Sequence, residues 1–238
     1  MKVTVIHGQS HKGITYTMTN TLLKHLNCEQ DEVREFFLPK EGPDYCYGCS
    51  SCFLRGEEHC PSSDKVQPIA KAIEWAEVII LDSPCYVLEM SGALKSLMDH
   101  LAYRWITHRP HGSMFTKVGV TVCSSAGVPT RGVLKSMGKQ LKWMGIPKVY
   151  YLGLMAQAIT VNELKEEKEI EIEKKAKNIA KRVNSRVEHP HIGIRGMIMF
   201  NIFRKMQSSQ KAAWNPKDRD WWVNQGWTQG VRPWKKNN

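Results

Sequence analysis

The sequence predicts an α/β fold in which five parallel strands form a doubly wound sheet with helices on both faces. Three observations predict it. Apolar runs rich in β-branched residues alternate with helical patterns over the first 160 residues, an order that implies right-handed crossovers between parallel strands. The runs are almost continuously apolar, which is typical of strands buried on both faces. A chain of 238 residues has room for one such domain and an extension.

The predicted elements follow one another in a regular order. The strands are Val3–Ile6, Val33–Leu38, Val78–Leu81, Val118–Val122 and Val149–Leu152, the second being weaker because it alternates apolar and polar residues. The helices between and after them are Tyr16–Leu26, Val66–Trp75, Gly92–Leu101, Gly132–Met144 and Asn162 to about Val187. In the last helix the charges recur at i,i+4 spacing, which indicates a solvated face rather than a binding site.

Parallel sheets of this kind bind ligands at the carboxyl ends of their strands, so the loops there are the candidate site. After the first strand, HGQSHKGIT at residues 7–15 offers glycines, hydroxyls and a lysine at the start of a helix. Such a loop suits a phosphate group, although it matches neither the dinucleotide-binding nor the P-loop pattern. A second interpretation stays open, in which Ser10 or Thr15 only caps the helix.

Two further loops lie at the same edge of the predicted sheet. After the third strand, SPCYVLEMSGALKSLMDHL at residues 83–101 leaves the strand through Pro84 and begins a helix at Ser91-Gly92. After the fourth strand, CSSAG at residues 123–127 consists of small residues that allow close approach of the backbone. Three such loops on one edge, one of them suited to phosphate, indicate a site for a mononucleotide.

Four of the seven cysteines form a compact motif, CYGCSSC followed by Cys60-Pro61, which places them at Cys46, Cys49, Cys52 and Cys60. Short spacings allow three thiolates to point into one small volume, and the Cys-Pro ending is similar to that of ferredoxin motifs. Zinc can use the same four sulfurs, although zinc sites are more often two separated pairs. Reduced thiols without metal are the third interpretation. A disulfide framework is not expected, because the cysteine number is odd and the cytoplasm is reducing.

The positive charge of the chain is concentrated near its C-terminus. Residues 181–238 contain 12 Lys and Arg against 3 Asp and Glu, whereas residues 1–180 contain 22 against 20. The same part holds Trp214, Trp221, Trp222, Trp227 and Trp234. Because exposed tryptophan is unfavourable, we expect this extension to pack on its own domain or on a neighbouring subunit. Two other roles of the extension remain possible interpretations, a lid over a cofactor and a contact with an anionic surface. Binding of nucleic acid, which would depend steeply on salt, is disfavoured.

The sequence resembles the flavodoxin-like NAD(P)H-dependent FMN reductase family, in its iron-sulfur flavoprotein branch. The stretches that carry the resemblance are HGQSHKGIT, SPCYVLEMSGALKSLMDHL, CSSAG and CYGCSSCFLRGEEHC, within residues 1–160. The resemblance implies that the FMN phosphate is held by Ser10, His11, Lys12, Gly13 and Thr15. It implies ring contacts from Pro84, Cys85, Tyr86, Val87, Ser124 and Gly127, and a [4Fe-4S] cluster on Cys46, Cys49, Cys52 and Cys60.

Three positions depart from the pattern of this family. His11 stands where Arg is frequent, Ile14 where Asn is frequent, and Val87 where Trp or Asn is common. The resemblance also suggests that backbone N–H groups of residues 85–87 stabilise the reduced ring.

The function that the resemblance implies is FMN-dependent electron transfer. The protein would reduce flavin, quinone or a similar small acceptor with NAD(P)H, or pass electrons through the cluster, and no side chain is required as acid or base. The alternative is a ferredoxin-linked carrier with little nicotinamide activity. A homodimer or homotetramer is also implied.

The predicted organisation is a flavodoxin-like domain over residues 1–188, with a cysteine insertion at about 40–65 and an extension over 189–238. Met1 leads directly into a strand-like run rather than a signal peptide. No stretch approaches the roughly 20 apolar residues of a membrane span. We therefore expect a cytoplasmic protein.

Overall fold

A computed structural model describes residues 1–209, 211 and 215–235. Five strands form one parallel sheet with the order β2-β1-β3-β4-β5, the flavodoxin-like order. The strands are β1 Val3–His7, β2 Val33–Phe37, β3 Val78–Asp82, β4 Val118–Ser125 and β5 Lys148–Met155. The predicted five-stranded, doubly wound fold is thus confirmed.

The helices among the described residues are α1 Ile14–Leu23, α2 Ser51–Leu54, α3 Ser63–Trp75, α4 Gly92–His100, α5 Arg131–Trp143, α6 Glu166–Glu188, α7 Gly193–Ser208 and α8 Pro216–Asn224. All five predicted helices are present, with ends shifted by at most four residues. The largest shift is at α6, because Val161–Glu163 form a separate 3-10 turn that Thr160 caps. In the described part of the chain, no helix is both long enough and apolar enough to cross a bilayer.

The sheet is buried between two helical layers. Along β3, Val78 and Ile80 pack in the layer that contains α1 and α6, whereas Ile79 and Leu81 pack in the layer of α3, α4 and α5. Because side chains alternate along a strand, a sheet covered on both faces requires apolar residues at successive positions. This explains the continuous apolar runs in the sequence.

The segment after α6 adds a third apolar cluster beside the sheet domain. Trp222 and Trp227 are buried and pack with Phe200 of α7. Phe200 meets Phe115, which precedes β4, with ring centroids 5.3 Å apart in an edge-to-face arrangement. The extension therefore packs on its own chain through these residues; Trp214 lies outside the described residues. The domain division at residues 188 and 189 stays a prediction.

Candidate functional site

Two neighbouring cavities lie at the carboxyl edge of the sheet. The first, of about 490 Å³, is lined by loops after β1, β3, β4 and β5. The second, of about 830 Å³, shares Gln9, His11 and Tyr86 with the first. Both volumes are in the range of small-molecule sites.

The predicted residues are largely brought together here. The first cavity is lined by His11, Lys12, Gly13, Thr15, Pro84, Cys85, Tyr86 and Ser124. Ser10 lines the second cavity. Val87 and Gly127 line neither of the two. The loop after β5, Ala158 to Asn162, also lines the first cavity and was not predicted from the sequence.

The loop between β1 and α1 fits an anion. Gly13 is the N-cap of α1; among the described residues no side chain caps this helix, and its first turn contains no acidic residue. Gly13 and Thr15 line the first cavity, so the N–H groups of the first turn and the positive end of the helix dipole are available to a phosphate. The capping interpretation is wrong for both residues, because no side chain caps α1 among the described residues. Ser10 Oγ donates to the carbonyl of Leu38, and Thr15 Oγ1 lies 2.6 Å from Ser124 Oγ.

A buried ionic network lies beneath this loop. His7 Nδ1 is 2.6 Å from Asp82 Oδ2, and its Nε2 is 2.8 Å from Glu35 Oε2. Burial alone lowers the pKa of His7, but the hydrogen bonds and charges of Asp82 and Glu35 more than offset it and raise the pKa to about 9. At neutral pH the ring is therefore an imidazolium, and both of its N–H groups donate. Both ring N–H groups are taken by Asp82 and Glu35, and these two carboxylates offset the charge of the imidazolium, so His7 fixes the end of β1 rather than binding a ligand.

Gln9 is a candidate binding residue that the sequence analysis missed. Its side chain is buried, and its Nε2 donates to Asp82 Oδ1 at 3.3 Å, which fixes the orientation of the amide. Its Oε1 is buried without a hydrogen-bond partner in the described part of the chain. Because an unpaired buried acceptor costs about 1–3 kcal/mol, a ligand that donates to Oε1 would be favoured. Nothing in the sequence distinguishes this glutamine from an ordinary loop residue.

The chain after β3 forms a tight hairpin beside the cavities. Tyr86 and Glu89 exchange backbone hydrogen bonds of 2.9 and 3.0 Å. Val87 and Leu88 at the tip have φ of +49° and +68°, a region that costs free energy for residues other than glycine. Val87 is 97% exposed. A strained, exposed apolar tip next to a cavity is typical of a contact surface for a ligand or a second chain.

The cysteine segment, residues 46–60, directly follows residues that line the second cavity. Cys46 directly follows Asp44 and Tyr45, which line that cavity. Cys46 and Cys49 are exposed, whereas Cys52 and Cys60 are half-buried. All seven cysteines are described, and none is in a disulfide.

Burial and neighbouring cysteines raise the pKa of two thiols of this segment, Cys52 and Cys60. Burial raises the pKa of Cys60, and the nearby Cys46 and Cys49 raise it further, against an opposing hydrogen bond from the backbone of Ser62. Burial, Cys60 and Cys46 likewise raise the pKa of Cys52. Among the described residues, no three His, Cys, Asp or Glu side chains are grouped closely enough to hold a metal ion. The ligand set Cys46, Cys49, Cys52 and Cys60 therefore stays a prediction.

One helix connects the second cavity to the cysteine segment. His100, at the end of α4, has Nε2 2.9 Å from the carbonyl oxygen of Asp44 and Nδ1 3.4 Å from Cys60 Sγ. A carbonyl only accepts, so this network assigns the hydrogen to Nε2, and Nδ1 accepts from the Cys60 thiol. The same helix begins at Gly92, which lines the second cavity.

Comparison with known sequences agrees with this arrangement. The profile of the NADPH-dependent FMN reductase family matches residues 1–156. An iron-sulfur flavoprotein from Archaeoglobus fulgidus is 31% identical over 154 residues, which cover 63% of this chain and 67% of that protein. An iron-sulfur flavoprotein from Methanocaldococcus jannaschii is 35% identical over 100 residues, which cover 42% and 51%. The matched region thus spans one half to two thirds of these two relatives.

Solved structures show the same fold. An FMN-dependent NADH-azoreductase from Bacillus anthracis, in complex with FMN, superposes with a TM-score of 0.58 at 13% identity, covering 77% of this chain and all of that one. A flavone reductase superposes with a TM-score of 0.57 at 14% identity, covering 81% and 66%. At such identities the likeness concerns the fold, whereas the profile match covers the whole sheet and the loops after β1, β3 and β4. The chain therefore belongs to the NADPH-dependent FMN reductase family, and iron-sulfur flavoproteins are among its relatives.

Proposed function

We propose that the protein is an FMN-dependent oxidoreductase that reduces flavin, quinone or a similar small acceptor with NAD(P)H, and that the cysteine segment holds a [4Fe-4S] cluster. One observation carries the combination: the two residues before Cys46 line a cavity that shares its wall with the phosphate-binding loop. A cluster on this segment would adjoin the flavin. The names of the relatives, iron-sulfur flavoproteins, support both groups.

The residues of the first cavity suit FMN. The N–H groups at the start of α1, with His11 and Lys12 beside them, would hold the phosphate, and Gln9 Oε1 would accept from a ligand hydroxyl or N–H. Pro84 to Val87, Ser124 and Gly127 are proposed to contact the ring. When bound, FMN supplies the exchange of a hydride for electrons.

The expectation that N–H groups of residues 85–87 stabilise the reduced ring is wrong for two of them. Cys85 N–H donates to the carbonyl of Ser124 at 2.9 Å, and Tyr86 N–H donates to the carbonyl of Glu89 at 2.9 Å. Of these three groups, only that of Val87 can serve in this role.

A ferredoxin-linked electron carrier is the second candidate function. Tyr45 and Tyr47, which flank Cys46, are each 77% exposed, and Cys46 and Cys49 are exposed as well. A partner protein could approach the cysteine segment directly at this surface. The exposed tip of Val87 and Leu88 supports a homodimer or homotetramer in which a second copy covers it.

Purification without oxygen, followed by absorbance spectroscopy and determination of iron and sulfide, tests the proposal. We expect flavin bands with about four iron and four sulfide per chain, and rapid bleaching of the flavin by NADH or NADPH. Cys46→Ser should lose the iron and retain FMN, whereas Cys28→Ser, which lies outside the segment, should retain both.

The outcomes separate the parts of the proposal. Flavin without iron would contradict the cluster and leave the reductase. The carrier function would be favoured if reduced ferredoxin bleached the flavin of the loaded protein rapidly while NADH and NADPH bleached it only slowly. Protein that cannot be loaded with FMN would contradict both functions.

Replacing Gln9 should weaken FMN binding without unfolding the protein. We expect Gln9→Leu to raise the Kd of FMN about tenfold, the effect of losing one buried hydrogen bond of roughly 1 kcal/mol or more. Quenching of FMN fluorescence on titration with apoprotein measures the Kd. Gln67→Leu is the matched control, because Gln67 is a partly buried glutamine that donates to the Tyr103 hydroxyl, away from both cavities. An unchanged Kd in Gln9→Leu would show that Oε1 has no ligand partner.

A further inference from the structure

A buried arginine connects the C-terminal extension to the cysteine segment. Arg109, in the loop between α4 and β4, is 4% exposed. Its Nη1 donates to Asp218 Oδ1 of α8 at 2.6 Å, and its Nη2 donates to the backbone carbonyl of Cys52. The same Nη2 lies 3.4 Å from Glu57 Oε2. One planar guanidinium thus contacts α8 and the cysteine segment at once, as the fork of an arginine permits.

The carboxylate of Asp218 is fixed from several sides. Asp218 is fully buried. Besides Arg109, it accepts from Asn215 Nδ2 at 2.8 Å and lies 2.7 Å from His108 Nδ1. Its backbone N–H in turn donates to the side chain of Asn215, the N-cap of α8. The start of α8 and residues 108–109 therefore form one polar unit.

Further contacts fasten α8 over this loop. The indole N–H of Trp221 donates to the carbonyl of Pro110 at 3.0 Å, and that of Trp222 to the carbonyl of His108 at 2.7 Å. On the other side of the loop, the ring of Phe53, next to Cys52, meets the His108 ring edge-on with centroids 4.8 Å apart. Asp218, Trp221 and Trp222 of α8 lie outside residues 1–156, the part of the chain that the family profile matches.

We propose that Arg109 and Asp218 are positioning residues that hold the Cys52 end of the cysteine segment, and that the extension serves to lock this segment in place. The contacts of Arg109 with Asp218 and with the Cys52 carbonyl are given by the geometry. Their purpose, to hold the thiols in place for a cluster, rests on the proposed function. Removing one partner of a buried ion pair leaves an unpaired buried charge. Arg109 would then be drawn to Glu57 or to solvent, and the Cys52 carbonyl would lose its donor.

The reactivity of the thiols in reduced, metal-free, full-length protein tests the lock. Alkylation by iodoacetamide is followed at each cysteine by peptide mass spectrometry, and the rate at Cys52 is divided by the rate at Cys28 as an internal reference. Asp218→Asn should raise this ratio about tenfold or more through local opening. Arg109→Lys keeps a positive charge near Asp218 but cannot also reach the Cys52 carbonyl. It should raise the ratio similarly, with a smaller loss of Tm.

Trp227→Phe is the matched control. It weakens the apolar cluster of the extension without touching Arg109 or Asp218, and the ratio should stay at the wild-type value. An unchanged ratio in Asp218→Asn and Arg109→Lys would overturn the proposal. So would an equal rise in Trp227→Phe, because the effect would then be general loosening.

Hydrogen exchange on the wild-type protein tests the same idea without substitutions. The amides of α2 and of α8 should open together and show matching protection; protection of α8 that exceeds that of α2 by about 100-fold would contradict the lock. Iron content is measured separately. If the purified wild-type protein lacks iron while the Cys52 ratio of the metal-free protein rises in Asp218→Asn and Arg109→Lys, the cluster is contradicted and the lock is kept. If the purified protein contains iron while the ratio is unchanged in both variants, the lock is contradicted and the cluster is kept.

Discussion

Thr15→Asp is expected to give a protein that no longer retains FMN. Thr15 is buried, lines the first cavity, and has Oγ1 2.6 Å from Ser124 Oγ. A carboxylate there would face the phosphate, and two unit charges 4 Å apart repel by about 4 kcal/mol at an effective dielectric constant of about 20. The affinity should fall about 1,000-fold. The ratio of FMN to protein after gel filtration and the Kd from fluorescence titration measure it.

Two variants control for this substitution. Thr21→Asp adds the same charge to the same helix, where the hydroxyl donates only to the carbonyl of Thr17, and should stay yellow. Thr15→Val removes the hydroxyl without adding charge and should weaken binding much less than Thr15→Asp. Unchanged FMN content in folded Thr15→Asp would show that the phosphate binds elsewhere.

Asp82→Asn is expected to lower the free energy of unfolding by about 3–5 kcal/mol, the usual cost of removing one partner from a buried ion pair. Asp82 is fully buried and contacts His7, Thr19 and Gln9. Neutralising it leaves the His7 ring with Glu35 as its remaining carboxylate partner. Urea denaturation measures the change. Asp99→Asn, at an exposed ion pair with Lys95, is the control and should cost less than about 1 kcal/mol.

The buried pair of His7 and Asp82 should make the free energy of unfolding depend on pH. Because the pKa of His7 is raised from 6.5 to about 9 in the folded state, its stabilisation is complete below about pH 6.5 and is lost as the pH rises through 9. The free energy of unfolding contributed by His7 should fall by about 1.4 kcal/mol per pH unit within this window. In Asp82→Asn the slope should be flatter. Equal slopes in the two proteins would show that Asp82 does not hold the extra proton on His7.

The sheet could be predicted because its signal is local. Strands such as β3 are short, apolar and β-branched, and the intervening helices are amphipathic. Helix α7 gives no such signal, because its isoleucines and methionines are spread around the helix and several, such as Ile198, are exposed. The pair Asn215-Pro216 is also typical of turns, but here Asn215 is the N-cap and Pro216 the first residue of α8, a helix-start pattern.

The site could be predicted only where one loop carries the chemistry. The glycines, hydroxyls and lysine of residues 7–15 predict a phosphate site from one continuous stretch of sequence. The partnership of His7 with Asp82 depends on the register of β1 against β3, which pairs these two residues across 75 positions of sequence. The contact of Arg109 with Asp218 depends likewise on tertiary packing. Neither the contact of His7 with Asp82 nor that of Arg109 with Asp218 can be predicted from the spacing of residues in the sequence.

The long separation between Cys60 and Asp218 sets an order of events during synthesis. At about 5–20 residues per second, about 8–30 s pass between the translation of these two residues. The sheet domain can begin to fold in that interval, because its strands and helices precede the extension. Asp218, which pairs with Arg109, has not yet been made at that time. During this interval Arg109 has no carboxylate of Asp218 to pair with, so the cysteine segment is less constrained before α8 is made than after it has docked.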